Sequence, residues 1–141
     1  VISSNGQGVA KDYQTAIKKH TVAAQQGNAD AQYALGRMYD KGHGAAQDYQ
    51  TAIKWYALAA QQGNADAQYA LGKMYLKGEG VPLDNVRAHM WFNLSALAGN
   101  DSALKNKDDL AERMTPSQIK QAQKLTKECV TRSNKRCRFH D

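Results

Sequence analysis

Apolar positions after Asn64 fall on one stripe of a helix, because Ala67, Ala70, Leu71, Met74 and Tyr75 recur at three- and four-residue steps. Asn64 is a good N-cap residue, Asp66 puts a negative charge in the first turn, and Lys77 before Gly78 signals the C-terminus. Upstream, Asp48 opens a second stripe of Ala52, Ile53, Tyr56, Ala59 and Ala60, which Gly63 closes. The linker Gly78-Glu79-Gly80-Val81-Pro82 cannot stay helical through two glycines and a proline. Short connections of this kind predict antiparallel helical hairpins.

The whole pattern recurs. Residues 9–44 and 45–80, aligned at an offset of 36, differ at 9 of 36 positions. A period of that length marks a solenoid, in which each unit buries its apolar face only by stacking on its neighbours. It also shifts the expected function from catalysis toward binding. Gly36 and Gly72 lie inside the predicted helices, where glycine costs about 0.5–1 kcal/mol relative to alanine. A cost repeated at one phase predicts a steric reason, a neighbouring helix crossing at that point.

Beyond Gly99 the period decays. Residues 101–114 read as a further helix with Ala103, Leu104, Leu110, Ala111 and Met114 apolar. Thr115-Pro116-Ser117-Gln118 is a helix start, with a Thr cap, Pro in the first turn and Gln at the capping-box position. Ile119, Ala122, Leu125 and Cys129 then form one narrow apolar stripe on a polar helix, as expected of a cap over the open end of a solenoid.

These residues resemble the Sel-one-like repeat, a relative of the tetratricopeptide repeat. Ala31-Gln32, Leu35-Gly36 and Tyr39 match its first helix, as do Ala67-Gln68, Leu71-Gly72 and Tyr75. Gly42-His43-Gly44 and Gly78-Glu79-Gly80 match its turn, and Asp48, Ala52, Trp55-Tyr56 and Ala59-Ala60 match its second helix. In the first copy Lys19 and His20 replace the Trp-Tyr pair, which fits an outward-facing end helix. The resemblance implies an all-α, right-handed superhelical solenoid of about seven antiparallel helices. Its parts would be a partial repeat over 1–27, repeats over 28–63 and 64–99, and a terminal half-repeat with a capping helix and basic tail over 100–141. The stretch from Trp91 to Leu125 also resembles the terminal cap of bacterial members.

The formal charge is +6, and its distribution changes the picture more than its size. Lys120, Lys124, Lys127, Arg132, Lys135, Arg136 and Arg138 lie in the last 25 residues against Glu128 and Asp141, which makes +5 there and leaves the repeats almost neutral. A neutral body excludes a nucleic-acid stripe along the solenoid, which needs clustered cations on one face. The basic end suits an acidic partner or an anionic membrane surface or, more plainly, the negative end of a helix dipole. No apolar run is long enough to cross a membrane, so no integral membrane contact is expected. The chain lacks an initiator Met and opens within a repeat, which reads as a trimmed or processed fragment compatible with a lost export signal.

Cys129 and Cys137 are the main clue to compartment. A disulfide between them fits an oxidising environment and hence a periplasmic or secreted bacterial protein, while free thiols in the cytoplasm stay open as the alternative. A similar spacing occurs in every repeat of the cysteine-rich secreted branch of the resembled family. The G-x-G turns are connectors, since a dinucleotide loop needs a preceding strand that the sequence does not show. His20, His43, His89 and His140 occupy unrelated places, with no metal-ligand spacing among them, so neither metal nor cofactor is expected. No nucleophile–base constellation can be assigned, so no catalytic residue is expected. Asn93-Leu94-Ser95 falls inside a helix and carries no weight as a glycosylation site.

What remains is an exposed ladder. Tyr33 with Arg37, and Tyr69 with Lys73, are four residues apart on one helix face, with Asp40 beside the first pair. By the resemblance, the first helix of each unit would line a concave groove, with Lys105 or Asp108 continuing the row. Tyrosines and cations are favoured interface residues and suit a peptide carboxylate. Stacking on the adjacent repeat is the other role open to each tyrosine. The expected function is therefore a non-catalytic module holding a peptide or protein partner, within an exported scaffold or adaptor. Two alternatives stay open: a structural segment of a longer array or self-associating oligomer, and a hydrolase binding peptidoglycan or β-lactams, as linked to some secreted relatives.

Overall fold

The computed structural model describes residues 2–131, with side chains described from Lys11 onward. Among them are seven helices and no strand: α1 (Ile2–Gln25), α2 (Ala29–Lys41), α3 (Tyr49–Gln61), α4 (Ala65–Lys77), α5 (Asn85–Leu97), α6 (Asp101–Ala111) and α7 (Pro116–Thr131). From α1 to α6 each helix packs on the next, and α7 packs on α5. This is the predicted all-α solenoid of stacked hairpins. Cys137, His140 and the basic residues beyond 131 lie outside the described residues.

The helix starts obey the local chemistry of the sequence. Asn28, Asn64 and Asn100 each cap a helix by accepting a hydrogen bond from the backbone N–H three residues on, and Asp48 and Asp84 do the same for α3 and α5. The asparagines also act between repeats: the Asn64 amide donates to Asp30 at 3.1 Å, and that of Asn100 reaches Asp66 at 3.5 Å. At α7 the capping box closes both ways, with Gln118 N–H donating to Thr115 Oγ1 at 3.1 Å and Thr115 N–H donating to Gln118 Oε1 at 3.0 Å. α2 and α4 end on left-handed glycines, Gly42 and Gly78.

One apolar cluster runs through α3, α4, α5, α6 and α7, and a smaller one joins α1 to α2. The interior glycines have the steric reason their repetition predicts. A Cβ on Gly36 would stand 2.5 Å from the Tyr56 ring, and one on Gly72 would stand 2.6 Å from the Phe92 ring. Each glycine of a first helix thus admits the buried aromatic of the following helix. The end of the seam is closed differently. Lys54 and Leu58 are exposed on α3, whereas Met90 and Leu94, at the same places one repeat on, are buried on α5, the helix that α7 covers. Cys129 is only 4 % exposed and belongs to the main cluster, because its stripe on α7 faces inward.

Buried polar groups show where the repeat is imperfect. Gln32 and Gln68 each donate to a carbonyl of the preceding helix, Ala24 and Ala60, at 3.1 Å. Gln62 donates to Gln32 Oε1 at 2.8 Å, but Ala98 occupies the next equivalent place and Gln68 Oε1 has no partner. His89 Nδ1 and Trp91 Nε1 are also buried without a partner.

Candidate functional site

The ladder residues of α2 and α4 come together. Tyr33, Arg37, Asp40, Tyr69 and Lys73 line one cleft of about 390 Å³, floored by Tyr56 of α3. Lys105 and Asp108 are exposed on α6 and do not line it. The reason is visible at the repeat offset of 36, which carries Tyr33 and Tyr69 onto Lys105, and Arg37 and Lys73 onto Asp109. The aromatic–cation pairing therefore stops after α4.

Each tyrosine meets both an aromatic ring and a cation. The Tyr33 ring lies 5.8 Å from Tyr56, and Tyr69 lies 5.9 Å from Phe92, both tilted. Over them stand the cations, with Arg37 Cζ 5.9 Å from the Tyr33 centroid and Lys73 Nζ 4.8 Å from the Tyr69 centroid. The stacking role and the exposed role are thus combined. Burial holds the Tyr33 hydroxyl above the usual tyrosine range, with Arg37 pulling the other way.

The acids of the cleft are already occupied. Tyr56 donates its hydroxyl to Asp40 at 3.0 Å, and burial followed by that carboxylate pushes its pKa well up. Tyr49 donates to Glu79 at 3.2 Å. The Tyr56–Asp40 pair has a signal in the sequence that periodicity alone overlooks. One repeat on, Phe92 replaces Tyr56 and Leu76 replaces Asp40, so hydroxyl and carboxylate disappear together.

The cations differ. Among the described residues no carboxylate forms an ion pair with Arg37, Lys41, Lys73 or Lys77; the ion pair found there joins Arg87 to Asp84, 3.5 Å apart at the start of α5. Burial, and then the charges of Lys41 and Lys77, hold the Lys73 ammonium below the usual lysine value, against the opposing pull of Asp40 and Glu79. Lys73 is thus a partly desolvated cation among like charges, which an incoming anion would offset. A second cleft of about 410 Å³ lies between α1 and α2, where Tyr13 stacks on His43 with centroids 4.5 Å apart. It shares Tyr33, Arg37 and Lys41 with the first. Among the described residues no cluster of His, Cys, Asp or Glu could hold a metal ion, and no helix is long and apolar enough to cross a membrane.

Comparison with known proteins agrees with this architecture. A crystal structure of a protective antigen present in uropathogenic Escherichia coli strains, displaying an SLR fold, superposes with a TM-score of 0.82 at 30% identity, over 86% of this chain and 26% of that one. A Sel1 repeat protein from Oxalobacter formigenes gives 0.64 at 38% identity, over 64% of this chain and 26% of that one. The chain therefore spans about a quarter of the length of either structure. No curated protein matches it. Sel1 repeats commonly mediate protein–protein interactions, and the family is generally one of non-enzymatic scaffolds. The Sel1 repeat model matches residues 1–28, 29–64 and 65–100, and the chain belongs to the Sel1 repeat family.

Proposed function

We propose that this chain is a non-catalytic binding module whose α2–α4 cleft holds an extended segment of a protein or peptide partner. The observation that carries this reading is the pairing of Arg37 and Lys73 with tyrosine rings in one cleft, with no carboxylate of the described residues in an ion pair with either. The mechanism is preorganisation: hairpins stacked in a continuous core present the side chains in place, so docking orders little of the protein. Selection of random peptides on the immobilised chain tests it. Selected peptides should lose binding to the Arg37→Glu, Lys73→Glu double variant while far-UV circular dichroism stays unchanged. Peptides that bind the variant equally well would contradict the cleft assignment.

The compartment follows from the cysteines under the same proposal. Cys129 sits buried at the end of α7, eight residues before Cys137, and pairing the two would tie the chain end to the cap in an oxidising compartment such as the periplasm. Titration of unreduced, denatured protein should find no free thiol; two free thiols would place the chain in a reducing compartment.

A further inference from the structure

The two clefts are copies of one another. Tyr13, Tyr33, Arg37 and Lys41 of the α1–α2 cleft correspond, 36 residues on, to Tyr49, Tyr69, Lys73 and Lys77 of the α2–α4 cleft. The clefts adjoin along α2, which contributes Tyr33, Arg37 and Lys41 to both, and together they make a trough of two steps. Each step of the trough offers the same thing: a tyrosine face and, above it, a cation that no carboxylate of the described chain pairs. The carboxylates that do line it are Asp40 and Glu79, which accept hydroxyl hydrogen bonds from Tyr56 and Tyr49, and Asp66, which the Asn100 amide reaches at 3.5 Å.

A trough with a repeating cation suits a ligand with a repeating anion. One hydrogen bond from Asn64 to Asp30 bridges the starts of α2 and α4, which sets these helices on the order of 10 Å apart, and a chain extended as polyproline II advances about 3.1 Å per residue with three residues per turn, so that every third side chain returns to one face. One repeat step therefore spans about three residues of ligand. We infer that the trough takes an extended acidic peptide whose carboxylates recur at every third residue, one meeting Arg37 and the next meeting Lys73, with the intervening side chains lying on Tyr33 and Tyr69. The inference rests on the binding-module reading and adds the chemistry and register of the partner. The register ends at α4, because Asp109 stands where a third cation would be and would repel a third carboxylate.

The test uses fluorescein-labelled peptides of a neutral Gly/Ser background carrying two glutamates at spacings of one, two, three or five residues, with binding read by anisotropy. The three-residue spacing should bind tightest, with affinity falling as salt rises. Arg37→Gln and Lys73→Gln should each weaken that peptide about tenfold, the scale of one charge-assisted hydrogen bond, and should erase the preference for spacing. Lys105→Gln should leave it unchanged, and circular dichroism controls for folding. Equal affinity at all spacings overturns the register. A neutral peptide that ignores both cation variants yet is weakened by Tyr69→Ala overturns the acidic chemistry and leaves the binding-module reading standing. Binding that ignores all of these substitutions overturns both.

Discussion

Adding one methyl group at Gly72 should destabilise the solenoid, and removing the ring opposite should reverse the sign of that effect. Gly72 lies inside α4, where alanine ought to help by about 0.8–1.0 kcal/mol through helix propensity alone. The new Cβ would stand 2.6 Å from both Cδ1 and Cε1 of Phe92, closer than carbon atoms tolerate. Phe92 is fully buried, so its ring has nowhere to swing, and overpacking of this kind costs about 1–3 kcal/mol. Gly72→Ala should therefore lose about 1 kcal/mol net on those figures, and Gly72→Leu considerably more. In a Phe92→Ala background the clash is gone and only the propensity term remains, so Gly72→Ala should become stabilising by up to about 1 kcal/mol. Urea unfolding followed by circular dichroism reads all four proteins of the cycle. The same change in midpoint from Gly72→Ala in both backgrounds would refute the idea that the glycine exists to admit the ring.

Other consequences follow from the imperfect copies. Ala98 has nearly the backbone angles of Gln62, so Ala98→Gln should place an amide on Gln68 Oε1 and raise stability by about 1 kcal/mol; no gain in the urea midpoint would contradict the glutamine ladder. Tyr56→Phe alone strips Asp40 of its donor and should destabilise, whereas Tyr56→Phe with Asp40→Leu reproduces the Phe92 and Leu76 pair and should recover most of the loss in thermal melts. Burial, and then the Lys107 charge, hold the His89 imidazole below its usual value, against Asp108. Above about pH 6.5 both folded and unfolded forms are neutral, and below it the unfolded chain takes the proton first, so stability should fall as pH drops from there. His89→Ile, the residue that stands at Ile53 one repeat earlier, should flatten the melting temperature between pH 7 and pH 5; an unchanged slope would show that His89 is not its source.

Repetition made most of the fold legible. A residue that recurs at one phase against its own propensity, as Gly36 and Gly72 do, reports a contact that cannot be seen locally. The asparagine and aspartate caps and the Thr115–Gln118 box follow from hydrogen-bond chemistry within four residues. Harder to read were the features that depend on how unlike copies pair. The seat of α7 on α5 is signalled only by Met90 standing where Lys54 stood, which looks like scatter until the helix that covers it is known. At the site, the Tyr–cation pairs were legible because they repeat. Lys105 and Asp108 were added by extending a row whose chemistry had already changed, and the engagement of Asp40 by Tyr56 depends on a helix seven residues further along the chain.

The most direct measurement is amide and side-chain chemical-shift mapping of the isotopically labelled chain during titration with the peptide carrying glutamates three residues apart. Perturbations should concentrate on Tyr33, Arg37, Tyr69 and Lys73 and leave Lys105, Asp108 and the lysines of α7 unmoved. Shifts centred on α6 and α7, or on the exposed side of α3 around Lys54 and Leu58, would mean that ligands are held elsewhere than in the trough between the repeats.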